Sequence, residues 1–127
     1  MMSTNFELVG DFMEAVSQEV HYAPQWVDPA TIRLRVALIE EEFEELKEAI
    51  ADKDLVEVAD ALTDLLYVIY GAGHSFGIDL DSCFTEVHSS NMSKMGEDGR
   101  PIKSFNGKIM KGPNYFSPDL EKVLFIS

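Results

Sequence analysis

Cysteine occurs once, at Cys83, which excludes an intrachain disulfide and any multi-cysteine zinc site. A small buried apolar residue is the plain reading of that position. Positive charge is also scarce: 10 bases against 23 acids leave a formal charge of −13. So acidic a chain does not attract nucleic acid or an anionic membrane by bulk charge, and neither is expected as a partner. Long apolar runs are missing. The longest mostly apolar stretch, residues 62–76, carries Asp64 and His74 and is too short to span a bilayer. Met1-Met2-Ser3-Thr4-Asn5 has no basic run leading into an apolar segment, so a secretory leader is not expected and the expected compartment is the cytoplasm. No Glu-x-x-His pair occurs, which argues against a ferritin-like di-iron bundle, and His21, His74 and His88 share no metal-ligand spacing. Gly71-Ala72-Gly73 lacks the lysine of a phosphate-binding loop and falls inside a helical pattern, where close packing explains it better.

What is present is enough for one folded domain: 127 residues, 46% hydrophobic and 26% charged. The charge is unevenly placed. Eleven of the 23 acids fall between Glu40 and Asp64, where the bases are Lys47 and Lys53, while six of the ten bases lie between Lys94 and Lys122. An acidic protein that handles phosphates must supply cations, either from such a local basic segment or as metal.

Helical periodicity dominates the first three-quarters of the chain. Phe6, Val9, Met13 and Val16 step at helical spacing, with Ser3 or Thr4 as the cap. Residues 21–28 read as a loop, and Asp28-Pro29 then supplies an N-cap followed by proline at the first helical position. Ile32, Val36, Ile39, Phe43, Leu46 and Ile50 follow as an amphipathic stripe. After the polar break at 51–54, a third helix is expected from about Leu55 to Phe76, closed near Gly77, and a fourth from Asp79 or Asp81 to about Met95. Beyond it, Asn106-Gly107 between two short apolar arms is a hairpin signal, and Ser117-Pro118-Asp119 starts a last short helix. The expected architecture is all-α: a single domain with a four-helix bundle-like core over about 4–95, a short irregular basic extension over about 96–127, and assembly as an oligomer.

Helical phase separates the surface acids from the anomalous ones. At roughly 100° per residue, Glu40, Glu44 and Glu48 point away from the apolar stripe and read as plain solvent charges. Glu42 falls inside the apolar arc, Glu45 at its edge and Glu41 just outside it. Glu42 and Glu45, one turn apart, can converge on one ion. On the next helix both sides are largely apolar, yet Glu57, Asp60 and Asp64 project within about 60° of each other on one of them. Unpaired carboxylates in a buried stripe cost several kcal/mol each, on the order of what an ion must return. Lysine caps or retained protons are the bland answer. Hard divalent cations held by oxygen ligands are the natural one.

Glu41-Glu42-Phe43-Glu44-Glu45-Leu46, followed by acids on the next helix that end in Asp64-Leu65-Leu66-Tyr67, resembles the MazG-like all-α nucleotide pyrophosphohydrolases. That superfamily also includes dimeric dUTPases and phosphoribosyl-ATP pyrophosphohydrolase. Its signature is E-E-x-x-E and then, on a second helix, E-x-x-D. The resemblance runs from about Ile32 to Met95 and includes Asn91 and Lys94, similar to a downstream asparagine–lysine element that meets the nucleotide. It implies a magnesium-dependent enzyme, with manganese as the alternative ion, that cleaves a nucleoside triphosphate between the α and β phosphates to a monophosphate and pyrophosphate. It implies metal ligands at Glu42 and Glu45, with Glu41 outside the ion's ligand set orienting or deprotonating the attacking water. On the third helix, Glu57 and Asp60 fit E-x-x-D by letter. The apolar pair and aromatic that usually follow the family's aspartate point instead to Asp64. A homodimer or homotetramer is implied as well.

Other candidates keep two readings. Asn91 is either a substrate contact, with Lys94 one turn on, or a satisfied core amide. Lys108 and Lys111 either meet a phosphate or belong to a solvated loop. Trp26, Phe12 and Tyr115 either stack on a base or fill the core. The rival to an enzyme is a non-catalytic acidic bundle that regulates or scaffolds through its helix faces. It explains the charge but not the acids on two successive apolar arcs.

Overall fold

The computed structural model describes residues 2–126. Its elements are α1 (Asn5–Ala15), α2 (Pro29–Ala51), α3 (Leu55–Phe76), α4 (Leu80–Met92), β1 (Ile102–Lys103), β2 (Ile109–Met110) and α5 (Leu120–Phe125). The all-α class expected from the sequence holds, with a two-stranded ribbon as the one sheet among the described residues. No helix among them is long and apolar enough to cross a membrane. The chain divides into two compact units, Met1–Leu80 and Asp81–Ser127.

In the first unit each helix begins and ends where local chemistry requires it. Thr4 and Glu7 form a reciprocal capping box at the start of α1. Asp28 caps α2 through the Thr31 amide, with Pro29 at the first position. Asp54 accepts from the Val56 and Glu57 amides at the start of α3. Gly77 ends α3 at φ +68, and a Cβ there would stand 2.1 Å from the Ala23 carbonyl oxygen, so only glycine fits. Three residues separate α2 from α3, which forces an antiparallel pair. Accordingly, Arg35 near the start of α2 meets Ser75 near the end of α3.

The seam of that pair differs from the expected stripe. Arg35 and Ala49 are buried and Glu42 is half-buried, whereas Val36, Phe43 and Ile50 stay about half exposed in the single chain. The seam therefore follows the 35–42–49 line, one residue behind the apolar line in helical phase. Small residues, Ala49 and Ala61 near one end and Gly71 near the other, let the two helices approach. Glu57 and Asp60, near the start of α3, are exposed rather than sunk in a buried stripe as expected, and α1 packs farther along the same helix. There, Phe6 stacks on His74 at 3.9 Å between ring centroids, and the His74 ring nitrogen Nε2 donates to the Phe6 carbonyl at 2.7 Å. The close fit of Gly10 against that ring and the burial of Val9 and Met13 complete this small core.

In the second unit α4 ends at Met92, three residues earlier than expected, because Ser90 and Ser93 turn their hydroxyls to backbone partners. Ser90 Oγ donates to the Phe116 carbonyl at 2.8 Å, and Ser93 Oγ accepts from the Phe116 amide at 3.0 Å. β1 and β2 pair antiparallel, Ile102 opposite Met110 and Lys103 opposite Ile109, around the expected Asn106-Gly107 turn with Gly107 at φ +86. The Asp119 amide, ahead of α5, donates to Glu86 on α4 at 2.9 Å.

Candidate functional site

Two consecutive helices bring three carboxylates together. Glu42 and Glu45, one turn apart on α2, face Asp64 on α3, and one oxygen from each lies within 4.8 Å of the others. Glu42 and Asp64 are half-buried, and Glu45 is exposed at the rim. Glu42 Oε2 is fully buried with no hydrogen-bond partner among the described residues. No ion pair among those residues involves the three. Lys47, the closest base in the helix, pairs instead with Glu44 at 2.7 Å and lies over the Phe43 ring.

The electrostatics follow from that placement. Loss of solvent first, then a hydrogen bond shared with Glu45, then the charges of Glu45, Asp64 and Glu41, push the Glu42 carboxyl up to about 7. Loss of solvent and the charges of Asp60 and Glu45 raise Asp64 in the same direction. Without a counter-ion the cluster thus holds a proton near neutrality. An orphaned buried oxygen among carboxylates is a donor set for a hard divalent cation such as magnesium or manganese, and the residues fit that group.

Glu45 also opens onto an acid-lined groove of about 320 Å³ whose wall includes Glu48, Asp52, Asp54, Glu57 and Asp60. Glu57 and Asp60 therefore lie beside the triad without being part of it. Glu41 is exposed next to Glu42 and contributes to its raised affinity for a proton. Glu48 is exposed, as expected of a solvent charge, and lines this groove. Glu45, Glu48 and Asp52 step by three and four along one helix face, a spacing of acids that apolar phase does not reveal.

The remaining candidates sit in the second unit. Asn91 is exposed, so the core-amide reading does not apply to it. Lys94 is half-buried, and Lys108 and Lys111 are exposed. Lys111 Nζ stands 4.8 Å from the centre of the Tyr115 ring. Hydrogen bonds with Ser117 and Ser90 lower the Tyr115 pKa, and the charges of Lys111 and Lys94 add to that. Lys94 and Lys111 are thus both close to one tyrosine. In the first unit, Trp26 is 86% exposed, touching Phe76 edge-on, which removes the core reading for it. Phe12 is half exposed, edge-on to Tyr67.

Residues 9–91 match the family model for phosphoribosyl-ATP pyrophosphohydrolase. Over 125 residues the chain is 34% identical to an uncharacterized protein of Acanthamoeba polyphaga mimivirus. That match covers 95% of this chain and 47% of the relative, so the chain spans about half the length of the curated relative it matches. Among solved structures, a protein of Exiguobacterium sp. 255-15 provisionally assigned as an NTP pyrophosphohydrolase is similar in fold. The TM-score is 0.52 at 22% identity, over 94% of this chain and 92% of that one.

Proposed function

This chain belongs to the phosphoribosyl-ATP pyrophosphohydrolase family, within the MazG-like superfamily, and from that premise we infer that it is a nucleotide pyrophosphohydrolase working with divalent metal. The observation that carries the reading is the orphaned Glu42 oxygen facing Glu45 and Asp64: three carboxylates with no cation paired to them among the described residues, on the helices that the family model spans. Glu42, Glu45 and Asp64 hold the ion, magnesium by preference and manganese as substitute, with Asp60 and Glu57 at the adjoining groove for a further one. A metal held by these residues would supply positive charge to the triphosphate and to the attacking and leaving oxygens of cleavage between the α and β phosphates. Glu41, exposed beside the triad, orients the attacking water and takes its proton. Asn91, Lys94, Lys108 and Lys111 contact the substrate, a role that rests on the family resemblance and on the phosphate-binding chemistry of lysine.

The same reading includes assembly and place. Val36, Phe43 and Ile50 on α2 and Leu62, Leu66 and Ile69 on α3 are exposed in the single chain, on the side of each helix away from their common seam. A second copy covers that side, giving a dimer or a dimer of dimers with the active site near the contact. The enzyme acts in the cytoplasm, without nucleic acid or membrane partners.

A pyrophosphate-release screen over common and oxidised nucleoside triphosphates and phosphoribosyl-ATP, with and without magnesium, tests the function. Metal-dependent release from any of them supports it. No release from any, together with a melting temperature indifferent to millimolar magnesium or manganese, would favour a scaffold role and defeat it.

A further inference from the structure

Arg35 is a charge that the carboxylate triad leaves unexplained. It lies on the α2–α3 seam and is only 7% exposed. Its Nε donates to Ser75 Oγ at 2.7 Å, and its terminal nitrogens have no hydrogen-bond or ion-pair partner among the described residues. Gly71 makes room for the guanidinium: a Cβ there would stand 3.0 Å from Nη1. Desolvation lowers the Arg35 pKa, but a guanidinium keeps its proton throughout the physiological range. A buried charge of this kind needs a counter-ion.

No carboxylate among the described residues pairs with it. Arg35 and Ser75 line a pocket of about 140 Å³, whose acids are Asp28 and Glu19. Asp28 accepts from the Thr31 amide at 3.1 Å and the Thr31 hydroxyl at 2.7 Å and forms no ion pair with Arg35. Glu19 is paired with His21 at 3.0 Å. The terminal nitrogens of Arg35 are not among the enclosed, unpartnered polar atoms, and Arg35 is one of the residues that line this pocket. Its volume equals about four to five waters at roughly 30 Å³ each, room for one small oxyanion. Gln18 on the same wall offers a further donor.

We propose that this pocket is an oxyanion site in which Arg35 receives a phosphoryl group through its planar fork. The site stands on the geometry alone; the choice of phosphate over a carboxylate rests on the pyrophosphohydrolase reading. Glu42 is seven residues along the same seam, about 10.5 Å at 1.5 Å per residue. The phosphoryl group is therefore either free inorganic phosphate or one carried by a nucleotide that also reaches the triad.

The test is a titration of the full chain in EDTA with inorganic phosphate, at constant ionic strength set by sodium chloride, following the Arg35 Nε–Hε resonance. That signal is assigned by its loss in Arg35→Lys, and phosphate binding to the variants is followed by calorimetry. A saturating shift is expected in the wild type and in Glu42→Gln alike, with affinity about tenfold weaker in Arg35→Lys and lost in Arg35→Met. Should Arg35→Met fail to fold, Ser75→Ala keeps the charge and removes its anchor, and is expected to weaken phosphate several-fold. A second arm adds a non-hydrolysable nucleoside triphosphate with magnesium. If it moves the same resonance and phosphate displaces it, the phosphoryl group is the nucleotide's; if phosphate alone moves it, the pocket takes the free ion. Both outcomes support the site. A wild-type resonance that phosphate moves no more than chloride overturns the site even if the enzyme turns over, and acetate binding in place of phosphate overturns the choice of ligand.

Discussion

Replacing Glu42 with glutamine removes one negative charge from the triad while keeping nearly the same shape, and its consequences run in opposite directions with and without metal. In the metal-free protein the Glu42 carboxyl sits at about 7 against an ordinary value of 4.5. The difference, 7 − 4.5, is 2.5 units. At roughly 1.4 kcal/mol per unit that is about 3 kcal/mol as a ceiling, and solvent reaching a half-buried side chain reduces it to about 1–2 kcal/mol. The sign follows from the direction. A raised folded pKa means that the folded chain keeps a proton which the unfolded chain releases, so stability is highest below about 4.5 and falls as pH rises towards 7. Glutamine cannot ionise and removes that fall. Scanning calorimetry in EDTA should find Glu42→Gln more stable than wild type at pH 7.5, by roughly 4–8 °C in Tm, with the advantage shrinking to nothing near pH 4.5. Millimolar magnesium should then raise the wild-type Tm and leave the variant unmoved, and the variant should lose turnover. Wild-type turnover in Glu42→Gln, or a metal-free variant no more stable than its parent at neutral pH, refutes this account of the cluster.

Asp64→Asn should raise the magnesium concentration needed for half-maximal activity, while Lys94→Ala should leave it unchanged and lower kcat/KM by about 10- to 100-fold; equal shifts in a magnesium titration would end that division of roles. Gly77→Ala should lower stability by at least about 1–2 kcal/mol in thermal unfolding, since φ +68 and the Ala23 carbonyl both oppose a Cβ, and an unchanged Tm would show that the α3 terminus relaxes freely. Light scattering at micromolar concentration should give the mass of a dimer or tetramer, and a monomeric mass with full activity would remove the second copy from the site.

Helix boundaries were legible because they are written in local chemistry. Thr4, Asp28-Pro29, Asp54 and Gly77 each act on backbone groups within a few residues, so their effect needs no knowledge of the rest of the chain. The seam was less legible. Periodicity reports which residues are apolar, and on α2 the apolar line through Val36, Phe43 and Ile50 lies beside the line that meets α3. Glu42 was found because it falls inside the apolar arc, and Asp64 because it faces the same way as Glu57 and Asp60. Which of the α3 acids joins the triad depends on the stagger of the two helices, which their separate phases do not contain. Arg35 escaped notice for a related reason. A lone arginine in a helix reads as surface, and its burial comes from Gly71 and Ser75, 36 and 40 residues later in the chain.

The seam of α2 therefore carries two charges of opposite sign that do not neutralise each other. At about 10.5 Å along the helix and an effective dielectric near 20, their attraction is roughly 1.6 kcal/mol, against about 4 kcal/mol for a pair in contact. Helix geometry keeps them apart: residues seven apart share a face but stand two turns from each other. Folding thus leaves an anionic cluster at one end of the seam, relieved without metal by a proton that Glu42 retains, and a buried guanidinium at the other, with no ion pair to either among the described residues. Each needs a ligand of opposite charge. Two separate ions satisfy both, and so does a single complex of metal with polyphosphate, cationic where it meets Glu42 and anionic where it meets Arg35. In the second case the seam selects for the length of the phosphate chain as well as for its charge, because a short anion cannot reach across two turns of helix.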